Sequence, residues 1–213
     1  MHETSTPPRT LDDINCMVIQ MMREMEAEAG PVDGDYPTGL WWYVGHLDRG
    51  GIARKVNNSE IAWSRRLTEM FNARGRSAVA EQRYPGLARD RCDCVVDLGF
   101  AKPWWIEMKG AWLEVFDRGA PNQAFTKHLH ATAHDVDKLS SLTTNEAVGI
   151  TLILVGFDRS ELPITTKDLD IVCRGISPCW RMKSAAWDVT GRLPFRTIVW
   201  VWSRWLETTR TGS

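Results

Sequence analysis

The chain is expected to fold as an α/β protein with a mixed central sheet flanked by helices, and three observations point there. Apolar residues make up 43% of the 213 positions and charged residues 25%, the balance of a globular domain with a packed core. Apolar side chains recur at helical spacing in residues 11–28, 59–73 and 123–142. Between and after the last two of these lie short segments rich in strand-forming residues, at 77–82, 91–98, 104–108 and 149–157.

The first helix is expected to start at Thr10, a residue whose hydroxyl can cap a helix, and Ile14, Met17, Val18, Met21 and Met25 give it one apolar stripe. A passage rich in Gly, Pro and Asp, residues 30–39, separates it from the second helix. That helix is opened by Asn57, with Glu60 three residues on, and carries Ile61, Trp63, Leu67, Met70 and Phe71. Turn-rich RYPGLARD and GFAKP divide the next three strands, two of which are expected to form a hairpin. On the third helix Leu129, Val136, Leu139 and Leu142 should face inward. Beyond 158, residues 166–174 suggest a short helix and 197–202 alternate as a strand does. The expected organisation is one domain: 1–58 as N-terminal helix and linker, 59–158 as core, and 159–213 as a C-terminal extension of the same core.

Composition narrows the function. The longest apolar stretch, residues 147–157, is too short for a membrane span, which needs about 20 apolar residues. The opening MHETSTPPRT has no basic start followed by an apolar run, so a cytoplasmic protein is expected. Five cysteines at irregular spacings then read as buried small hydrophobes rather than as bridges or a zinc site. Net charge is −1, so any nucleic-acid surface must be local. The 11 tryptophans could stack on unpaired bases, but core filling is the commoner use of that side chain.

The informative stretch is RCDCVVDLGFAKPWWIEMK, residues 91–109, where acidic residues interrupt segments that otherwise want to be buried. A buried carboxylate needs a partner or a metal. Glu107 and Lys109 are two apart, so on a strand they share one face while Ile106 and Met108 take the other. A hairpin closing over residues 99–102 would set Glu107 opposite Cys94 and next to Asp93, with Asp97 left near the turn. Two adjacent carboxylates suit a hard divalent cation such as Mg²⁺, and a neighbouring lysine can orient or deprotonate an attacking water.

Asp93 followed by Glu107-Met108-Lys109 resembles the D and (D/E)XK of the PD-(D/E)XK, or restriction-endonuclease-like, nuclease superfamily, and the element order over residues 59–158 resembles its αβββαβ core. The position before the aspartate, often Pro in that superfamily, is Cys92 here. The resemblance implies a phosphodiesterase that uses Mg²⁺, with Mn²⁺ as a substitute. Asp93, Glu107 and the Met108 backbone carbonyl would bind the metal, and Lys109 would assist the water. It also implies Glu60 as a further acidic ligand on the preceding helix, and polar residues on the following one, where DVDKL (135–139) lies.

Arg65, Arg66, Arg74, Arg76 and Lys127 are candidate phosphate contacts, with surface solvation an equal explanation. His128, His130 and His134 lack an evident third zinc ligand, so a solvated helix face is the simpler reading. The expected activity is a DNA endonuclease in restriction, defence or DNA processing, acting on double-stranded DNA, with a homodimer as one way to cut both strands. Two alternatives stand beside it: a nuclease-like binding module without catalytic metal, and an RNA nuclease.

Overall fold

The fold is seen in a computed structural model that describes residues 8–28, 59–112, 123–158, 169–189 and 195–206. Helix α1, Leu11–Glu28, starts where its cap is strongest. The Thr10 hydroxyl accepts the Asp13 N–H at 3.1 Å, while Asp13 Oδ2 accepts the Thr10 N–H at 2.9 Å, so each residue satisfies an orphan amide of the other. Hydrogen bonds from the Arg9 and Thr10 amides and the Thr10 hydroxyl hold the Asp13 carboxyl below its ordinary range. Helix α2, Ser59–Ala73, stops at Gly75, whose φ of 73° is easy only for glycine. The expected capping box at Asn57 and Glu60 lies outside the described side chains.

Strands β1 (Ala78–Arg83), β2 (Arg91–Val96) and β3 (Trp104–Trp112) form an antiparallel meander. Helix α3, Gln123–Ser140, then carries the chain to β4, Gly149–Asp158, which lies parallel to β3. After the single turn of α4, Asp170–Cys173, strands β5 (Arg181–Val189) and β6 (Phe195–Trp205) form a hairpin that extends the sheet beyond β4. The strand order is β1-β2-β3-β4-β6-β5, one mixed six-stranded sheet in an α/β fold. Sequence periodicity anticipates β6 but not β5, RMKSAAWDV, which is polar on much of its length and mostly exposed as an edge strand.

Side chains alternate across this sheet, and the alternation builds two cores. Trp104, Ile106 and Met108 of β3, Ile153 and Val155 of β4, and Val199 and Val201 of β6 pack with α1 and α2. Trp105 of β3, Leu152 and Leu154 of β4, and Ile198, Trp200 and Trp202 of β6 pack under α3. Both neighbours of Glu107 on β3 therefore belong to the α1–α2 core, and Glu107 itself faces α3. Trp63, Trp104, Trp105, Trp180, Trp200 and Trp202 are all buried, which is the core-filling use of tryptophan. Trp41 and Trp42 lie outside the described residues.

A buried polar chain threads the first core. The Trp104 indole N–H donates to Thr151 Oγ1 at 2.7 Å, Thr151 and Ser203 hydroxyls are 2.6 Å apart, and Ser203 donates to Asn15 Oδ1 at 2.6 Å. Asn15 Nδ2 ends the chain on the Arg181 carbonyl at 3.0 Å. An amide oxygen can only accept, so the Ser203 proton is committed to Asn15 and Thr151 must donate to Ser203. Four strands and α1 are tied by one consistent direction of donation. Gly149 completes the packing, since a Cβ there would overlap the Trp104 ring.

The cysteines depart from expectation. Cys92 and Cys94 are buried, but Cys16, Cys173 and Cys179 are exposed, and all five are free thiols. They sit on exposed parts of α1, α4 and the segment before β5, with the Cys16 sulfur accepting from Lys183 and the Cys179 thiol beside the Ser177 hydroxyl. Among the described residues, no helix is long and apolar enough to cross a membrane.

Ser203→Ala should lower unfolding stability by about 1–3 kcal/mol, because it leaves buried Asn15 and Thr151 groups without a partner. Urea titration checks this, and a wild-type midpoint would mean that the chain contributes nothing.

Candidate functional site

Asp93 and Glu107 are brought together by the pairing of β2 with β3. Cys94 pairs with Ile106, Val95 with Trp105 and Val96 with Trp104. Carried one pair further, this register sets Glu107 opposite Asp93, not opposite Cys94 as the sequence suggests. The correction matters because side chains alternate with a period of two. Glu107 opposite Cys94 would leave the two carboxyls on different faces, whereas the register extended one step past Cys94–Ile106 puts them on the same one. Asp97 explains the shift. Its Oδ1 accepts the Gly99 N–H at 2.7 Å, and the last β2–β3 pair is Val96 with Trp104, so the turn begins at Asp97 and is wider than a closure over 99–102. Asp97 is thus a turn residue away from the carboxyl pair.

Asp93 is fixed from two sides. Its Oδ2 accepts the Met108 N–H at 2.7 Å, and its backbone carbonyl accepts the Ser64 hydroxyl of α2. Glu107 is 2% exposed, and its Oε1 accepts the Tyr84 phenol at 2.7 Å and faces the Lys138 ammonium at 3.1 Å. The Lys138 ammonium also meets Asp135 Oδ1 at 2.7 Å, and Lys109 Nζ lies 3.4 Å from Asp135 Oδ2. That Asp135 oxygen is buried and takes part in no hydrogen bond. Asp135 and Lys138, three apart on α3, lie on the same inward stripe as Leu129, Thr132, Val136 and Leu139. Two polar residues in that stripe stand over the polar half of β3.

Electrostatics set the state of the pair. Burial, then repulsion from Glu107, pushes the Asp93 carboxyl well above its ordinary range. Burial and the charge of Asp135 push Glu107 up as well, opposed by Lys138. The two carboxyls are within hydrogen-bonding reach of each other, which two buried anions cannot sustain unaided. Either they share a proton or a cation lies with them. Burial first, and then the neighbouring Cys92 and Glu107, raise the Tyr84 phenol, so Tyr84 is a neutral donor to Glu107. Burial likewise keeps the Cys92 thiol protonated. It is a buried neighbour and not a nucleophile.

The residues fit a hard divalent cation. The donors are oxygens, the two carboxyls are near neighbours, and Mg²⁺ takes one or two carboxylates while keeping several waters. No group of three or more His, Cys, Asp or Glu converges among the described residues, which argues against a closed zinc-type cage. Asp135 joins the site through the two lysines and does not approach the pair directly. With Asp93, Glu107 and Asp135 ionised against Lys109 and Lys138, the cluster carries one excess negative charge. A dication would reverse that sign and favour an anionic substrate.

Other candidates fall elsewhere. Arg66 pairs with Glu28 at 2.6 Å and with Glu69 at 3.0 Å, Arg74 pairs with Glu24, and Arg76 donates to the Leu98 carbonyl. These arginines tie α2 to α1 and to the β2–β3 turn, on the sheet face away from Glu107, so they do not form a phosphate-binding patch at the site. Arg65 is exposed, as are His130 and His134 of α3. The side chains of Glu60, Lys127 and His128 lie outside the described ones. Sequence reasoning missed Tyr84, which sits in RYPGLARD; a tyrosine in a turn carries no signal of a buried carboxylate partner. Comparison with protein-family models, with curated proteins and with solved structures finds no match.

A pH dependence follows with a definite sign. A carboxyl raised by folding stabilises the fold below its unfolded value of about 4, and that contribution is lost as pH rises through the folded value. Asp93→Asn removes the costly anion, so the metal-free variant should gain on wild type as pH goes from about 5 to 8. Ca²⁺ should raise the melting temperature of wild type at pH 8 and leave Asp93→Asn nearly unmoved. Parallel stability profiles for the two proteins would show that Asp93 ionises freely.

Proposed function

We propose that the chain is a metal-dependent phosphodiesterase, a nuclease of the PD-(D/E)XK type acting on DNA. The observation that carries this reading is the pairing of half-buried Asp93 with buried Glu107, with Lys109 next on the same face of β3 as Glu107. Fold topology supports it: α2, β1, β2, β3, α3 and β4 follow the αβββαβ order, with an antiparallel meander and β4 parallel to β3. Helix α1 and the β5–β6 hairpin are then additions to a restriction-endonuclease-like core.

Asp93 and Glu107 would hold Mg²⁺, or Mn²⁺ in its place, with the Met108 carbonyl as the third protein ligand the motif implies. The bound ion supplies the charge that acidifies water and polarises a phosphoryl oxygen. Lys109 stands where it can orient the attacking water, take or pass its proton, and offset charge gathering on phosphorus. Asp135 keeps that ammonium in place. Tyr84 donates to Glu107 and fixes the orientation of its carboxylate. The Met108 amide does the same for the Asp93 carboxylate, and Ser64 holds the Asp93 backbone carbonyl.

Double-stranded DNA is the proposed substrate, in a restriction, defence or DNA-processing role, and cutting both strands would call for two centres, as in a homodimer. The buried tryptophans weigh against base-stacking platforms among the described residues, and so against single-stranded RNA. One observation favours a second reading: Lys138 already neutralises Glu107, so the site could be a closed ion-pair cluster in a binding module.

Labelled duplex DNA should be cut with Mg²⁺ or Mn²⁺ and left intact in excess EDTA. Lys109→Ala should fold and still bind metal while turning over about 10²-fold more slowly. Asp93→Asn should be inactive and Asp97→Asn close to wild type. Undiminished cleavage in EDTA would remove the metal mechanism, and a folded protein that binds neither Mg²⁺ nor Mn²⁺ and stays inert on every nucleic acid tried with those ions present would favour the binding module.

A further inference from the structure

The Glu107 carboxyl has partners on three elements: Tyr84 after β1, Asp93 on β2 and Lys138 on α3. Oε1 is taken by Tyr84 at 2.7 Å and Lys138 at 3.1 Å, while the carboxyl as a whole also reaches Asp93. On the α3 side, the Lys138 ammonium sits between two carboxylates, 3.1 Å from Glu107 Oε1 and 2.7 Å from Asp135 Oδ1. The side chains of all three are largely buried, with 13%, 3% and 7% of their surface exposed for Lys138, Glu107 and Asp135. The ammonium also lies 5.6 Å from the centroid of the Tyr84 ring, whose face favours a cation. A buried position between two carboxylates is where a hard cation would otherwise be held.

We infer that Lys138 is a resident cation of the site, holding the position between Glu107 and Asp135 where a second divalent ion would sit, so that the chain binds one catalytic metal and not two. The inference rests on the metal-dependent reading above and specifies its metal count. Burial alone would lower the pKa of Lys138, but the charges of Glu107 and Asp135 outweigh it and raise the value, so the side chain remains an ammonium at neutral pH. In two-metal phosphodiesterases the ions stand about 3.5–4 Å apart, sharing a carboxylate between them. Here Glu107 is shared between the Asp93 side and the lysine. A lysine cation cannot dissociate, so one positive charge at the site is built into α3 and is independent of metal concentration. It also shields Glu107 from Asp135, which otherwise repels it.

The test counts Mn²⁺ bound per chain by electron paramagnetic resonance and calorimetry, with no substrate present. Wild type should bind one ion, Lys138→Arg one, and Lys138→Ala two, the second being lost again in Lys138→Ala/Asp135→Asn. Two ions on wild type, or one ion with unchanged affinity on a folded Lys138→Ala protein, would overturn the inference. Should Lys138→Ala fail to fold, Lys138→Gln takes its place in the count, with the same expected gain of one ion. Wild type that binds no Mn²⁺ and cuts no duplex defeats the metal-dependent reading itself, and the inference with it. Wild type that cuts duplex with two ions bound defeats the inference alone.

Discussion

Everything at the site depends on the register of β2 on β3. The ladder ends at Cys94–Ile106, and one step beyond it Asp93 comes beside Glu107 and its carboxyl accepts the Met108 N–H, a bond that would otherwise belong to the strand ladder. One residue of slip would send one carboxyl into the apolar core beneath α1 and α2, at a cost of several kcal/mol for a buried, unpartnered anion. The apolar alternation of β3 guards against that slip, because Trp104, Ile106 and Met108 are committed to the same core. The acidic pair is thus held by the hydrophobic residues that flank it.

Around the pair the molecule assembles its charges in layers. The carboxyls come from adjacent strands, their fixing donors from α2 and the β1–β2 turn, and their counter-charges from β3 and α3. Helix α3 brings Asp135 and Lys138 to β3 because β4 runs parallel to β3, and a parallel connection must cross the sheet face. A meander without that crossover would have left Glu107 facing solvent. The Trp104–Thr151–Ser203–Asn15 chain acts on the opposite face, anchoring β3 to β4, β6 and α1, and so holds rigid the strand that carries Glu107 and Lys109.

Much of this was legible in the sequence, and the reasons are local. Strands carrying a polar residue within an apolar alternation, as in WWIEMK, can be read from period alone, and so can the stripe of α3. The partnership of Asp93 with Glu107 was legible as proximity but not as register, because a hairpin's register is set by its turn, and the Asp97 side-chain bond to Gly99 is invisible to periodicity. Tyr84 and the roles of Asp135 and Lys138 depend on which elements meet in three dimensions. Strand β5 escaped because as an edge strand it turns only Ala185 and Trp187 onto the core, partly buried, too few to show as an alternation. Arg66 and Arg74 looked like phosphate ligands because a charge on a helix carries no record of the acidic residues facing it from α1.

The central claim is that half-buried Asp93 and buried Glu107 form one acidic unit poised for a hard cation. Carboxyl ¹³C NMR titration of the metal-free protein, repeated with Ca²⁺, examines it without reference to any substrate. The account expects the two carboxyls to titrate as a coupled pair above the ordinary carboxylate range, and both to become fully ionised across neutral pH once Ca²⁺ is added. Independent titration of each near its ordinary value, unaltered by Ca²⁺, would contradict it.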